Sequence, residues 1–214
     1  MIIHHHLGLG DHIICNGLVS YLSQSNPIRL FCKHQNLVNI RTMYQNNTNI
    51  ELIAVTNDKE AQSIGSKYRD YIKLGISLNP IFVSNKEWDE IFYIQIGLPY
   101  DISWSYFDYY QPASQNKIPN SRYAFLCSKG SDGVDGVCYK HIDPTLEIVH
   151  SDQGNFFDNL NLIENATEIH CINSAYIHLI DRITTSHDTK LVYHKNFISK
   201  PYSDFTLKKK WHVI

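Results

Sequence analysis

Short apolar runs alternate with stretches of helical spacing along the whole chain. Met1-Ile2-Ile3 is apolar and β-rich, as a central parallel strand is. Gly8 and Gly10 then free the backbone for a sharp turn, and Asp11 reads as the N-cap of a helix. In that helix Ile14, Leu18 and Leu22 recur at helical spacing, with Ile13 and Val19 widening the apolar face. Further strands are expected over residues 28–32, 50–55 and 71–74, with helices over 37–43 and 58–68. This alternation implies a parallel sheet covered on both faces. A helix over 87–96 stops at Gly97 and Pro99, and an aromatic stretch, 100–110, follows. Residues 111–121, with Pro112 and Pro119, read as a linker. Beyond it, strands over 123–127, 146–149, 168–172 and 190–193 alternate with helices over 155–165 and 175–183. The pattern therefore predicts an α/β protein of two Rossmann-like parallel-sheet units, residues 1–110 and 122–214, facing across a cleft.

Composition narrows the class. The 214 residues allow one α/β domain or two small ones, and 43% hydrophobic content supports a real core. A net charge of -2 argues against a general nucleic-acid binder, and Lys208-Lys209-Lys210 reads as a solvated tail. The five cysteines include no C-x-x-C pair, and four of them lie in apolar segments, which fits a reduced, cytoplasmic location. No stretch has the length of a transmembrane helix and no charged leader precedes an apolar core, although peripheral membrane contact stays open. The oligomeric state is not legible.

The candidate chemistry gathers at three turns and one aromatic stretch. In open α/β sheets ligands sit at the carboxyl ends of the strands, which singles out Gly8, Gly10 and Asp11. The dinucleotide fingerprint G-x-G-x-x-G fails because Ile13 stands at its third position, and no Gly-Lys-Ser/Thr follows to make a P-loop. Ser174 reads as an N-cap whose hydroxyl and neighbouring N–H groups suit an anion, with His178 one turn on along the same face. Ser128, Lys129 and Gly130 follow a strand directly and suit a phosphate or leaving-group contact. Asp132 and Asp135 lack the calcium-loop pattern, and His4, His5 and His6 alternate faces on a strand, so neither group is expected to hold a metal. No G-x-S-x-G elbow is present. Asp101, Trp104 and Asp108 combine rings and carboxylates as a sugar site does; a helix capping the core accounts for the same stretch.

The Gly10-Asp11 turn after the first strand, together with Asn173-Ser174-Ala175-Tyr176-Ile177-His178-Leu179, resembles glycosyltransferases of the GT-B architecture. The likeness is to the heptosyltransferase-like group and to glycosyltransferase-like proteins from sugar loci of bacteria and large viruses. Phe92-Tyr93, Gly97-Leu98-Pro99 and Trp104 have counterparts there too. The chain departs from the family pattern where Asn173 replaces an acid and where the 128–130 loop lacks an arginine, and it is short for a GT-B enzyme. The resemblance implies metal-independent transfer of a sugar from a nucleotide-sugar to a glycan or glycolipid hydroxyl, with inversion and without a further cofactor. Asp11 would be the general base. Gly8, Gly10, Ser128, Lys129, Gly130, Asn173, Ser174 and His178 would hold the donor, and Asp101, Trp104 and Asp108 the acceptor. The alternatives are a non-catalytic nucleotide- or glycan-binding module of the same fold and, disfavoured by Ile13, a nucleotide-sugar-modifying enzyme.

Overall fold

The computed structural model describes residues 1–75, 86–113, 116–130, 133, 135–151, 155–195 and 205–214. The chain forms two compact units. The first is Met1–Tyr110, with which Phe205 and Thr206 group, and the second begins at Gln111.

In the first unit the strands are β1 (Ile2–His4), β2 (Ile28–Lys33), β3 (Ile50–Val55) and β4 (Tyr71–Lys73), all parallel, in the order β3-β2-β1-β4. The chain moves outward from β1 to β3, then returns to the other side of β1. The strand order thus reverses between β1 and β4, and such a switch point opens a crevice at the carboxyl ends of its two strands. Ile2, Ile3, Leu30 and Phe31 are buried, as central strands covered on both faces require.

Helix α1 (Leu9–Ser23) is buried nearly all round, including His12, Asn16 and Ser20. One face lies on the sheet, and α4 (Trp88–Ile94) and α5 (Ile102–Ser105) cover the rest. Its polar side chains therefore work inside the fold. Asn16 exchanges two hydrogen bonds with the backbone of Asp108, at 2.7 and 2.8 Å. The Tyr93 hydroxyl donates to the Ile14 carbonyl (2.6 Å) and accepts from the Leu18 N–H (3.3 Å), tying α4 to one helical step of α1. The helix opens earlier than the glycine-rich turn suggested: Gly8 is the N-cap and Asp11 lies within the first turn. The remaining helices of this unit are α2 (Leu37–Met43) and α3 (Asp58–Gly65), the latter capped by the Asn57 side chain, which accepts from the Glu60 N–H.

The second unit holds β5 (Tyr123–Cys127), β6 (Glu147–His150), β7 (Glu168–Cys171), β8 (Lys190–Tyr193) and β9 (His212–Val213), parallel, in the order β6-β5-β7-β8-β9. Its order reverses between β5 and β7. The helices are α6 (Leu160–Asn165), entered through a 3₁₀ turn at Phe156–Asn159, and α7 (Ala175–Arg182).

Lys208 and Lys210 are exposed, as a solvated tail is, but the backbone of this segment is docked and Lys209 is partly buried. Asp181 accepts from the N–H groups of Lys208 and Lys209 and from the Trp211 indole, and this docks β9 beside β8. Burial lowers Lys209 to about 8, and its ammonium donates to the Ile183 carbonyl and the Thr185 hydroxyl. Among the described residues, no helix is long and apolar enough to cross a membrane.

Candidate functional site

At the first switch point, β1 runs out through His5 and His6 into Gly8, and β4 runs out into Leu74 and Gly75. Asp11 projects from the first turn of α1, where the helix dipole favours a negative charge. Its carboxylate folds back over Gly8; a Cβ there would stand 2.4 Å from Oδ2. His6 Nδ1 stands 3.6 Å from Asp11 Oδ1, and both side chains are partly exposed, at 30% and 18%.

The three consecutive histidines do different work. His4 is buried, donating through Nε2 to Asp58 (3.0 Å) while Tyr71 donates to Nδ1 (2.7 Å). His5 is buried and donates through Nδ1 to the His6 carbonyl (2.6 Å). Its ring meets that of His12 edge-on at 4.4 Å, and neither ring nitrogen of His12 has a hydrogen-bond partner among the described residues. Among the described residues, no three His, Cys, Asp or Glu side chains are grouped to hold a metal ion.

Burial lowers His5 to about 4 and His12 well below its ordinary value. Unfolded, each takes up a proton near pH 6.5. Below that pH the unfolded chain binds more protons than the folded one, so stability falls as pH drops from about 6.5 to about 4. For His5 alone the loss over that window is on the order of 3 kcal/mol, with His12 adding in the same direction. Urea-unfolding midpoints measured from pH 7 to pH 4.5 are expected to decline steadily, and a flat profile would contradict the buried neutral pair.

At the second switch point, β5 ends in Cys127 and β7 in Cys171, paired side by side, and burial holds the Cys127 thiol well above its usual range. Ser128 is buried and its carbonyl accepts from the Gly136 N–H (2.9 Å), while the Lys129 backbone forms an isolated antiparallel bridge with that of Asp135 and the Lys129 residue is exposed. Asp132 lies outside the described residues. Ser174 is the N-cap of α7 by position, but its hydroxyl makes no capping bond and has no hydrogen-bond partner among the described residues. His178 is 3% exposed, and burial holds it well below its ordinary value, so it adds no positive charge.

A buried polar chain crosses the same sheet, and the sequence did not disclose it. The Cys138 N–H donates to His194 Nδ1 (3.1 Å), so His194 donates through Nε2 to His170 Nδ1 (3.0 Å), and His170 donates through Nε2 to Glu168 (2.9 Å). The Lys190 ammonium closes the chain on Glu168 at 2.8 Å. Burial pushes Glu168 up, but the hydrogen bonds from Lys190 and His170 outweigh it and hold the carboxyl low; burial lowers both histidines. Each member is satisfied in one tautomer only, which gives this network a structural role in fixing the register of the segments it joins.

Gly8, Gly10 and Asp11 thus share the first switch point, and Ser128, Lys129, Gly130, Asn173 and Ser174 the second. Asp101, Trp104 and Asp108 lie elsewhere in the first unit. The Trp104 ring packs on Tyr100, whose own ring packs on Tyr93, so much of the aromatic stretch covers the core. Asp108 joins Ser20, Ser23, Asn47 and Tyr106 around a depression of about 370 Å³ at the far end of α1 from Asp11. Sequence reasoning missed His6 as a partner of Asp11, because the three histidines were weighed only as a metal site. Comparison of the chain with protein-family models, curated proteins and solved structures gives no match. Fold and site together define an α/β protein of two parallel-sheet units, each with polar groups at its switch point.

Proposed function

We propose that this protein transfers a sugar from a nucleotide-sugar donor to a glycan hydroxyl, without a metal and with inversion. The observation that carries the reading is the position of both candidate sets at a point of strand-order reversal, where open α/β sheets bind ligands. The first unit offers a proton-accepting edge built on Asp11. The second offers the Ser174 hydroxyl, the N–H groups that follow it and the Lys129 ammonium, a neutral and cationic set suited to a diphosphate whose charge grows as the sugar bond breaks. A non-catalytic nucleotide- or glycan-binding module is the second reading. It is favoured by the buried, uncharged state of His178, which leaves less charge to stabilise a leaving group.

A thermal-shift screen of nucleotide-sugars followed by donor hydrolysis tests the proposal: a transferase gains stability with its donor and turns it over, whereas a binding module gains stability only. Ser174→Ala is expected to leave stability nearly unchanged, since the hydroxyl makes no capping bond. Affinity for the nucleoside diphosphate is expected to fall about tenfold or more, because a hydrogen bond to a charged group is worth about 1.5–3 kcal/mol. Unchanged affinity in calorimetry would remove Ser174 from the donor site.

A further inference from the structure

We propose that the depression at the end of α1 binds a neutral saccharide, at a site separate from both switch points. The inference goes beyond the transferase reading and does not depend on it. The depression lies at the amino-terminal edge of the first sheet. Ser20 and Ser23 sit in the last turns of α1, Asn47 and Asn49 come just before β3, and Tyr106 to Asp108 follow α5. Asp11 stands at the opposite end of the helix, beside the carboxyl ends of the strands.

Three observations carry the inference. First, Asn16, Ser20 and Ser23 recur at helical spacing on one face of α1, and all are buried. Asn16 holds the Asp108 backbone through two bonds, at 2.7 and 2.8 Å. The Ser23 hydroxyl donates to the Ser20 carbonyl and accepts from the Asn47 amide, each at 2.8 Å. Between these two bonded residues, Ser20 is 7% exposed and lines the depression with a hydroxyl that has no hydrogen-bond partner among the described residues. A buried hydroxyl left unpaired costs stability, and alanine suits a helix better, so a serine here points to a partner from outside the fold.

Second, the lining holds hydroxyls, amides and one carboxylate, with no Lys, Arg or His among the described residues. Asp108 is held by its backbone, which leaves its exposed carboxylate to accept from a ligand. The carbonyl end of α1 adds partial negative charge. A phosphate is therefore repelled, and a ligand that donates hydrogen bonds is favoured. Third, the lining is fixed before anything binds, which lowers the entropy cost of binding. Asn49 donates through its side chain to the Ser23 carbonyl (2.9 Å) and through its backbone N–H to the Asn47 side chain (3.2 Å). The Tyr106 ring meets Tyr21 edge-on at 4.9 Å. The volume, about 370 Å³, falls within the range of small-ligand sites. Hydroxyls, amides and a carboxylate beside the rings of Tyr106 and Phe107 match a saccharide, which carries hydroxyls at its edge and an apolar C–H face. A simple amine would engage the carboxylate and leave the hydroxyls and amides unused.

NMR titration of the isotope-labelled full chain tests this. The probes are glucose, galactose, mannose and N-acetylglucosamine, with spermidine and inorganic phosphate in parallel. At least one saccharide is expected to shift the side-chain amides of Gln24, Asn47 and Asn49 and the Asp108 N–H. No shift there with any of these saccharides overturns the inference; a response to spermidine in their place identifies a cation site. Asp108→Asn is expected to weaken saccharide binding about tenfold, and Ser20→Ala about fivefold. Ser20→Ala is also expected to melt no lower than the wild type, because its hydroxyl has no bond within the fold to lose. Unchanged affinity in both variants overturns the site. Saccharide binding here in a protein that cleaves no nucleotide-sugar removes the transferase reading alone, and donor turnover without these shifts removes this inference alone.

Discussion

Asp11→Asn is expected to lower turnover of the nucleotide-sugar about 10²–10⁴-fold while leaving the fold and donor affinity in place. Asparagine matches aspartate in size and fits the same space over Gly8. Losing a charge from the first turn of α1 costs roughly 0.3–1 kcal/mol of helix-dipole stabilisation, too little to unfold the unit. What disappears is the negative charge at the reacting edge. The residue could no longer accept the proton. The check is kcat at saturating donor and acceptor in a variant whose melting temperature is within a few degrees of wild type. Turnover within a few-fold of wild type would reduce Asp11 to a helix-start charge.

Gly17→Ala is expected to destabilise the first unit by about 3 kcal/mol or more, at the upper end of overpacking costs. A Cβ on Gly17 would lie 2.2 Å from the Ile102 carbonyl oxygen and 2.9 Å from the Ser103 Cα. Both are backbone atoms, so no side-chain rotation relieves the clash, and α5 must move away from α1. That motion strains the Ser103 hydroxyl bond to the Ile14 carbonyl (3.2 Å) and the paired bonds between Asn16 and the Asp108 backbone. The usual gain from replacing a helical glycine with alanine, about 1 kcal/mol, is small beside this. Chemical denaturation is the measurement. A variant as stable as wild type would show that α5 does not pack against α1 this closely.

Much of the architecture was legible because local patterns carry it. The apolar runs at 50–55, 123–127 and 190–193 became β3, β5 and β8 with the same bounds, and Leu37–Met43 became α2. These segments state their own period. Helix starts were less legible: α1 begins at Leu9 because Gly8 adopts the extended N-cap conformation, and no side chain announces that. The two-residue β9 carries no pattern of its own; it is placed by Asp181 on α7, about 30 positions earlier in the chain.

From the sequence alone, then, come the alternation of strands and helices, the parallel α/β class and the placing of Asp11 and Ser174 just beyond strand ends. Those properties follow from residue periodicity and turn chemistry, which act over a few neighbours. Only the tertiary structure decided that β4 returns to the free side of β1 and β7 to the free side of β5. Strand order depends on which edge a crossover packs against, and no local pattern encodes that choice. The same holds for His6 facing Asp11 between Gly8 and Gly75, for the burial that keeps His178 uncharged, and for the chain from Lys190 to Cys138. Each joins residues whose proximity arises only when separate elements pack.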